Sequence, residues 1–307
     1  MRTVLVDGGL SRDHLVTVGQ PPRFDEPGGP GVYASLAAVL AVSLLRHRSA
    51  ESMQVALSTT LPRADEDIRA VLAGAGVDLS LCVDGPAIPK LWILNSPQGR
   101  RIVRTAASAT AHELDETDDL GTAPPAQLGA TAPDVLLRCA PTRALEGRRP
   151  AVTLVDPDQQ SLAVGGWDYV AELTPRTDVY LPSRVQLTQL GADPVEAAWE
   201  LRRRTGRSVV ARLDAEGSLV LPPGGGAWRV AAGTVDVEET TGAGDSHAGA
   251  LAAALAQPGT TLVDATLIAT AAVAHNLAAP GIAGLIGGDE ITENELRGIR
   301  VEEQEQP

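Results

Sequence analysis

The chain has 307 residues, enough for one large α/β unit or two smaller ones with a sizeable core. Its 39 acidic against 25 basic residues give a formal net charge of −14, which opposes non-specific binding to nucleic acid or to an anionic membrane surface. In chain order, Thr3 to Val6 reads as a buried strand that exits through Asp7, Gly8 and Gly9, and Asp13 follows in a polar loop. PGGPG at Pro27 to Gly31 precedes Val32 to Leu45, apolar almost all round and therefore a buried helix. Gly29, Gly31 and Ala34 fit a loose GxGxxA dinucleotide pattern, but the preceding RFDEP is no buried strand. Gln54 to Thr59 reads as a strand, Arg63 to Gly74 as an amphipathic helix and Val77 to Val83 as a further strand.

Between Pro86 and Thr105 two alternating runs flank the turn Asn95 to Gly99, a hairpin signal, with Lys90, Arg100, Arg101 and Arg104 reading as a solvated face and phosphate binding as the alternative. The interval 106–133 is polar and rich in Thr, Ala and Pro, consistent with a surface helix and loops. From Asp134 the βαβ rhythm returns: DVLLRC, AVTLVD, a helix near Trp167 to Leu173, then DVYLPS, which implies a parallel sheet. VVARLDAEGSLVL, Val209 to Leu221, reads as strand, turn, strand, and the tail from Arg300 as frayed.

The most informative stretch is Val235 to Gln257, where TTGAGD feeds an alanine-rich helix. Gly242 and Gly244 flank the small Ala243, so the backbone can take unusual dihedrals and nothing covers its amides, which can then point at an anion. Asp245, placed at the first helical position, is ordinarily a cap for those amides. If they hold phosphate instead, Asp245 is placed to take a proton from an attacking hydroxyl.

TTGAGDSHAGA resembles the C-terminal signature of the ribokinase-like family, the PfkB carbohydrate kinases, usually DTTGAGDxFxGA. The resemblance implies a three-layer α/β/α domain over 1–307, with a mostly parallel central sheet and a small β lid formed by parts of 8–26 and 86–105. It also implies ATP and Mg2+, and ATP-dependent transfer of a phosphoryl group to a hydroxyl of a small sugar or nucleoside. Asp245 would be the general base, with the amides of Gly242, Ala243 and Gly244 as anion hole. Asp13, Gly28 and Gly29 match the acceptor site, and Tyr33 stands where the family has Asn. Thr241, Ser183, Gln186, Arg212, Gly217 and His275, the last within the stretch Ala269 to Gly281, are the nucleotide-site candidates. A homodimer through the lid is compatible with the resemblance.

Several positions depart from the family pattern. Glu239 replaces Asp and keeps a carboxylate, while His247 replaces an apolar Phe. Ser183 and Gln186 replace Asn and Glu, and Gln lacks the charge that a hydrated cation prefers. Asp214 replaces a Gly; it tolerates positive φ but adds an anion near phosphate. Arg212 reads as a surface arginine, with a phosphate contact as the alternative. These departures motivate a second reading, a catalytically weak ribokinase-like sensor or structural subunit that binds a sugar or nucleoside.

Other chemistries lack support in the chain. There is no GxxxxGK[ST], and no histidine spacing suited to a transition metal. A hydrolase built on Ser246 would need a distant base such as His275 or His112, because His247 beside it on the helix faces elsewhere. No apolar run approaches the roughly 18 residues of a membrane span, and MRTVLVDGG lacks signal-peptide order. Cys82 and Cys139 stand far apart and read as core thiols, so a cytoplasmic enzyme is expected.

Overall fold

The computed structural model describes residues 1–48, 51–85, 87–96, 99–105, 111–114, 126–129, 132–139, 144–287 and 290–305. The first half of the chain forms β1 (Arg2–Asp7), β2 (Ser11–Thr17), β3 (Arg23–Gly28), α1 (Pro30–Arg48), β4 (Met53–Ser58), α2 (Glu66–Gly74), β5 (Lys90–Ser96), β6 (Gly99–Thr105), β7 (Ala111–Leu114), β8 (Ala126–Gln127), β9 (Val135–Arg138) and β10 (Leu145–Glu146). There follow β11 (Val152–Val155), α3 (Gln159–Leu173), β12 (Val179–Tyr180), α4 (Arg184–Thr188), α5 (Pro194–Thr205), β13 (Ser208–Arg212), β14 (Ser218–Leu221) and β15 (Trp228–Val230). The chain closes with α6 (Ala243–Ala256), α7 (Leu262–Leu277), α8 (Ala283–Ile286), α9 (Glu293–Gly298) and β16 (Val301–Glu303).

The main sheet runs β16-β15-β14-β13-β12-β11-β9-β1-β4, parallel from β4 to β13 and antiparallel beyond. The parallel strands at its centre are buried on both faces, which is why they read as continuous apolar runs. Val4 and Val6 face a core shared with α1, α6 and α7, whereas Tyr180, Val209 and Ala211 face α3 and α5. Helices thus cover both faces, as the three-layer expectation requires. A Cβ on Gly249 would lie 1.9 Å from the Ala34 carbonyl oxygen, so α1 and α6 approach closely only because that position lacks a side chain.

A second sheet runs β3-β2-β5-β6-β7. The segments expected to form the lid, 8–26 and 86–105, contribute four of its strands; Asp13 lies in β2 and not in a loop, because β2 pairs in parallel with β5 from Arg12 to Thr17. RFDEP belongs to the exposed strand β3. The turn residues 97–98 lie outside the described residues, as do 106–110, 115–125 and 130–131 of the interval expected to hold a surface helix. Within that interval, residues 111–114 instead extend the second sheet and 126–127 pair with β10.

Three further expectations change. Val77 to Val83 is not a continuous strand: Asp78 and Val83 each make an isolated bridge to the chain at Ala56 and Thr60, and a turn closed by Cys82 N–H to the Leu79 carbonyl interrupts the ladder. The tail is paired, with Trp228, Arg229 and Val230 opposite Glu303, Glu302 and Val301. Helix α1 has the length and apolarity to cross a membrane, contrary to the expectation that no run approaches this, and it is packed inside the core against α6.

Candidate active site

The parallel strands deliver their carboxyl ends, with Asp7, Arg138, Asp156, Ser183 and Arg212, to one rim of the sheet, where open α/β sheets bind ligands. At this rim β1 exits through Gly8 and Gly9, and the Gly31 N–H donates to the Gly9 carbonyl at 2.8 Å. Gly29 (φ +87°) lies so close that a Cβ there would meet the Gly9 oxygen at 2.8 Å. A Cβ on Gly28 would lie 2.0 Å from Asp13 Oδ2, so this glycine makes room for the Asp13 carboxylate, which is 2% exposed and accepts from Ser11 Oγ at 2.6 Å. Tyr33, in the first turn of α1, is also 2% exposed. Burial, and then the negative fields of Asp13, Glu239 and Asp245, push its hydroxyl well above the usual phenol range. Tyr33 therefore feels the carboxylates of β2, of the segment before Gly242 and of the α6 first turn together.

Gly242 carries the left-handed conformation (φ 76°, ψ 1°) that starts α6 with no side-chain cap. A Cβ on Gly242 would lie 2.1 Å from Tyr33 Cδ1, so the tyrosine ring packs on the turn itself. Asp245 is the third helical residue, not the first, and is half-buried, while Gly244 is exposed. The first-turn amides of a helix have no intrahelical partners and carry the positive end of its dipole. Here the glycine cap supplies no side-chain acceptor for them, and the Ala243 N–H donates to the Thr240 carbonyl at 3.3 Å.

Arg212 is buried, which overturns its reading as a surface arginine. Its guanidinium donates to the carbonyl of Gly244 at 2.7 Å, to that of Leu181 at 2.5 Å and to Asp156 Oδ2 at 2.8 Å. Ser183 and Gln186 form a capping box on α4. The Gln186 amide then donates to Asp156 Oδ1 at 3.0 Å and to the Pro157 carbonyl at 2.6 Å. Both ends of Gln186 are thus engaged by the protein. Asp214 does take positive φ (55°), and Arg184 pairs with it at 2.9 Å and also with Glu216, so one guanidinium is shared by two carboxylates.

Gly217 (φ +79°) is held by close approach to β15, where a Cβ would lie 2.1 Å from the Val230 oxygen. His275 stands apart, its Nε2 3.0 Å from Glu295 Oε1 on α9. Its neighbour Asn276 is the residue that reaches the turn, donating to the Thr241 carbonyl at 3.0 Å. Asp156, Asn276 and Arg23, which pairs with Glu239, were not singled out from sequence. The carboxylate ending AVTLVD and the amide within the apolar run TAAVAHNLAAPG were the available signals; Arg23 had none.

Ser246 is fully buried, which removes the hydrolase reading. His247 is buried with Nε2 3.3 Å from Ser218 Oγ. Cys82 and Cys139 are half-buried and in no disulfide, and Cys82 Sγ donates to the Leu57 carbonyl at 3.3 Å. Among the described residues no three His, Cys, Asp or Glu side chains form a metal cage. Gln186 is committed to Asp156, and Asp156 in turn to Arg212, so neither presents a free ligand to a magnesium ion.

No curated protein matches the chain in sequence. In structure it is similar to aminoimidazole riboside kinase from Salmonella enterica, complexed with aminoimidazole riboside and an ATP analog: TM-score 0.67 at 17% identity, covering 96% of this chain and 99% of that one. A fructokinase double mutant from Vibrio cholerae O395, bound to fructose, ADP and potassium ion, gives 0.66 at 18% identity over 93% and 95%. A putative ribokinase II from E. coli in complex with ATP and Mg2+ gives 0.68 at 16% identity over 97% and 98%. Residues 37–283 match the pfkB family carbohydrate kinase model, so the chain belongs to that family.

Proposed function

We propose that the protein transfers the γ-phosphoryl group of ATP to a hydroxyl of a small sugar or nucleoside. The observation that carries this reading is the Gly242 turn: a left-handed glycine, an α6 N-terminus without a side-chain cap, and Asp245 in its first turn, with the Tyr33 ring packed on Gly242. Asp13, backed by Gly28 and Gly29, accepts hydrogen bonds from acceptor hydroxyls and orients one of them. Asp245 takes the proton as that hydroxyl attacks, and the α6 amides stabilise charge on the transferring group. Arg212 holds the Gly244 carbonyl, and with it the first turn of α6, in place. The second sheet is the lid that excludes water from the reaction. Magnesium, when bound, neutralises phosphate charge, and it arrives on the nucleotide.

Family membership and the similar kinases support the reaction class, and the ligands of those kinases support a sugar or nucleoside acceptor and a nucleotide donor. The test is a screen of sugars and nucleosides with ATP and magnesium, read as ADP release and as thermal shift on the same panel. Acceptor-dependent ADP release is expected. Thermal shifts without release from any nucleoside triphosphate would favour the sensor reading.

A further inference from the structure

The segment that leads into the Gly242 turn carries a buried carboxylate, Glu239, which is 4% exposed. Its Oε2 accepts from the Gly281 N–H at 3.0 Å and pairs with the guanidinium of Arg23. Arg23 comes from β3, the edge strand of the second sheet, 216 residues away in sequence. It packs closely on Gly281, where a Cβ would lie 3.1 Å from Arg23 Nη1 and 3.6 Å from Glu26 Oε2. A second tie comes from the turn between β2 and β3, where Gln20 Nε2 donates to the Glu238 carbonyl at 2.8 Å.

Among the described residues three buried oxygens of this region have no hydrogen-bond partner: Glu239 Oε1, Thr241 Oγ1 and Asn276 Oδ1. They belong to one neighbourhood, because Asn276 donates to the Thr241 carbonyl and the Glu239 N–H faces the Leu277 carbonyl at 3.4 Å. A carboxylate removed from water needs a counter-charge, and leaving one unpaired is strongly unfavourable. A carboxylate, a hydroxyl and an amide oxygen are also the hard donors that suit an alkali cation.

We propose that Arg23 is the built-in counter-cation of Glu239 and occupies the place that a free monovalent cation would take if Arg23 were absent. β3 then has two jobs. Its far end holds Gly28 behind Asp13, and its first residue neutralises the carboxylate three positions before Gly242. The charge of Arg23 reaches the site, since it opposes the effect of Glu239 on the Tyr33 hydroxyl. Docking of the second sheet therefore completes the acceptor pocket and fixes the charge beside the phosphate turn together. Arg23 acts through Glu239, as a positioning residue.

The activity readout rests on the kinase reading; the binding readout does not. Thermal unfolding of wild type, Arg23→Ala, Arg23→Lys and Arg23→Ala/Glu239→Gln is compared in potassium chloride and in choline chloride of equal ionic strength. Potassium should stabilise Arg23→Ala and leave wild type, Arg23→Lys and the double variant unchanged relative to choline. If Arg23→Ala does not fold, Arg23→Gln replaces it, keeping the bulk without the charge. In ADP release, kcat of Arg23→Ala in choline should fall by about tenfold or more and recover in potassium, with KM for ATP little changed. An equal potassium response in wild type and Arg23→Ala, or none in a folded Arg23→Ala or Arg23→Gln, overturns the proposal. Absence of ADP release throughout the panel counts against the kinase reading alone, since the thermal comparison is unaffected.

Discussion

The Arg212 guanidinium donates to the Gly244 carbonyl at 2.7 Å while the same group is paired with Asp156 at 2.8 Å, so the end of β13 and the first turn of α6 are tied by one buried cation. Removing that cation leaves Asp156, held by Gln186 on its other oxygen, as a nearly buried unpaired carboxylate. Arg212→Leu is expected to lower the unfolding free energy by about 3 kcal/mol in urea denaturation. Arg212→Lys should recover part of this, since an ammonium keeps the charge but cannot bridge all three partners. A loss below about 0.5 kcal/mol for Arg212→Leu would mean the network contributes nothing net.

Gly28→Ala tests the acceptor pocket without deleting a polar group. Its methyl would meet Asp13 Oδ2 at 2.0 Å and displace the carboxylate. The KM for the acceptor is expected to rise by about tenfold or more, with that for ATP nearly unchanged. Equal changes in both would separate Asp13 from acceptor binding.

His247 predicts a pH effect on stability. Burial first, then the positive charge of Arg212, push its imidazole from the ordinary 6.5 down to about 3. Between those values the unfolded chain binds a proton that the folded chain refuses, so stability is full above pH 6.5 and declines as pH falls through the window. By pH 5 the loss is about 2 kcal/mol. His247→Phe should flatten this part of the profile in urea denaturation at pH 7 and pH 5, and an unchanged slope would contradict the assignment.

Gln186→Glu restores the carboxylate of the family pattern, and from sequence it is expected to sharpen magnesium dependence and raise turnover. The geometry argues the reverse, because the new carboxylate would face Asp156, whose Oδ1 now accepts from Gln186 at 3.0 Å, and would compete for Arg212. Turnover is expected to fall by about tenfold, read as kcat across a magnesium titration. A rise would show that Asp156 yields its place to the metal.

What was legible in sequence was local. The Gly242 turn could be read because its dihedral needs and its carboxylate lie in six consecutive residues, Thr240 to Asp245, and the parallel strands because both of their faces are buried. Asp13 reads as a loop residue in sequence because β2 becomes a strand through pairing with β3 on one side and with β5, some 78 positions on, on the other. The run from Val77 looked like a strand, yet the Asp78 side chain accepts from the Ser80 N–H and a turn breaks the ladder. Strand β16 has no apolar face to announce it and exists through backbone pairing with β15. The link between Gln186, Asp156 and Arg212 joins the ends of three strands, so no local pattern contains it.

The central claim is that Asp245 is the general base. Acceptor-dependent ADP release is to be compared between wild type and Asp245→Asn, an isosteric change that keeps the α6 turn, with acceptor binding followed separately by thermal shift. Turnover should fall by about 10² to 10⁴ with the acceptor-induced shift retained. Turnover within a few-fold of wild type would contradict the account.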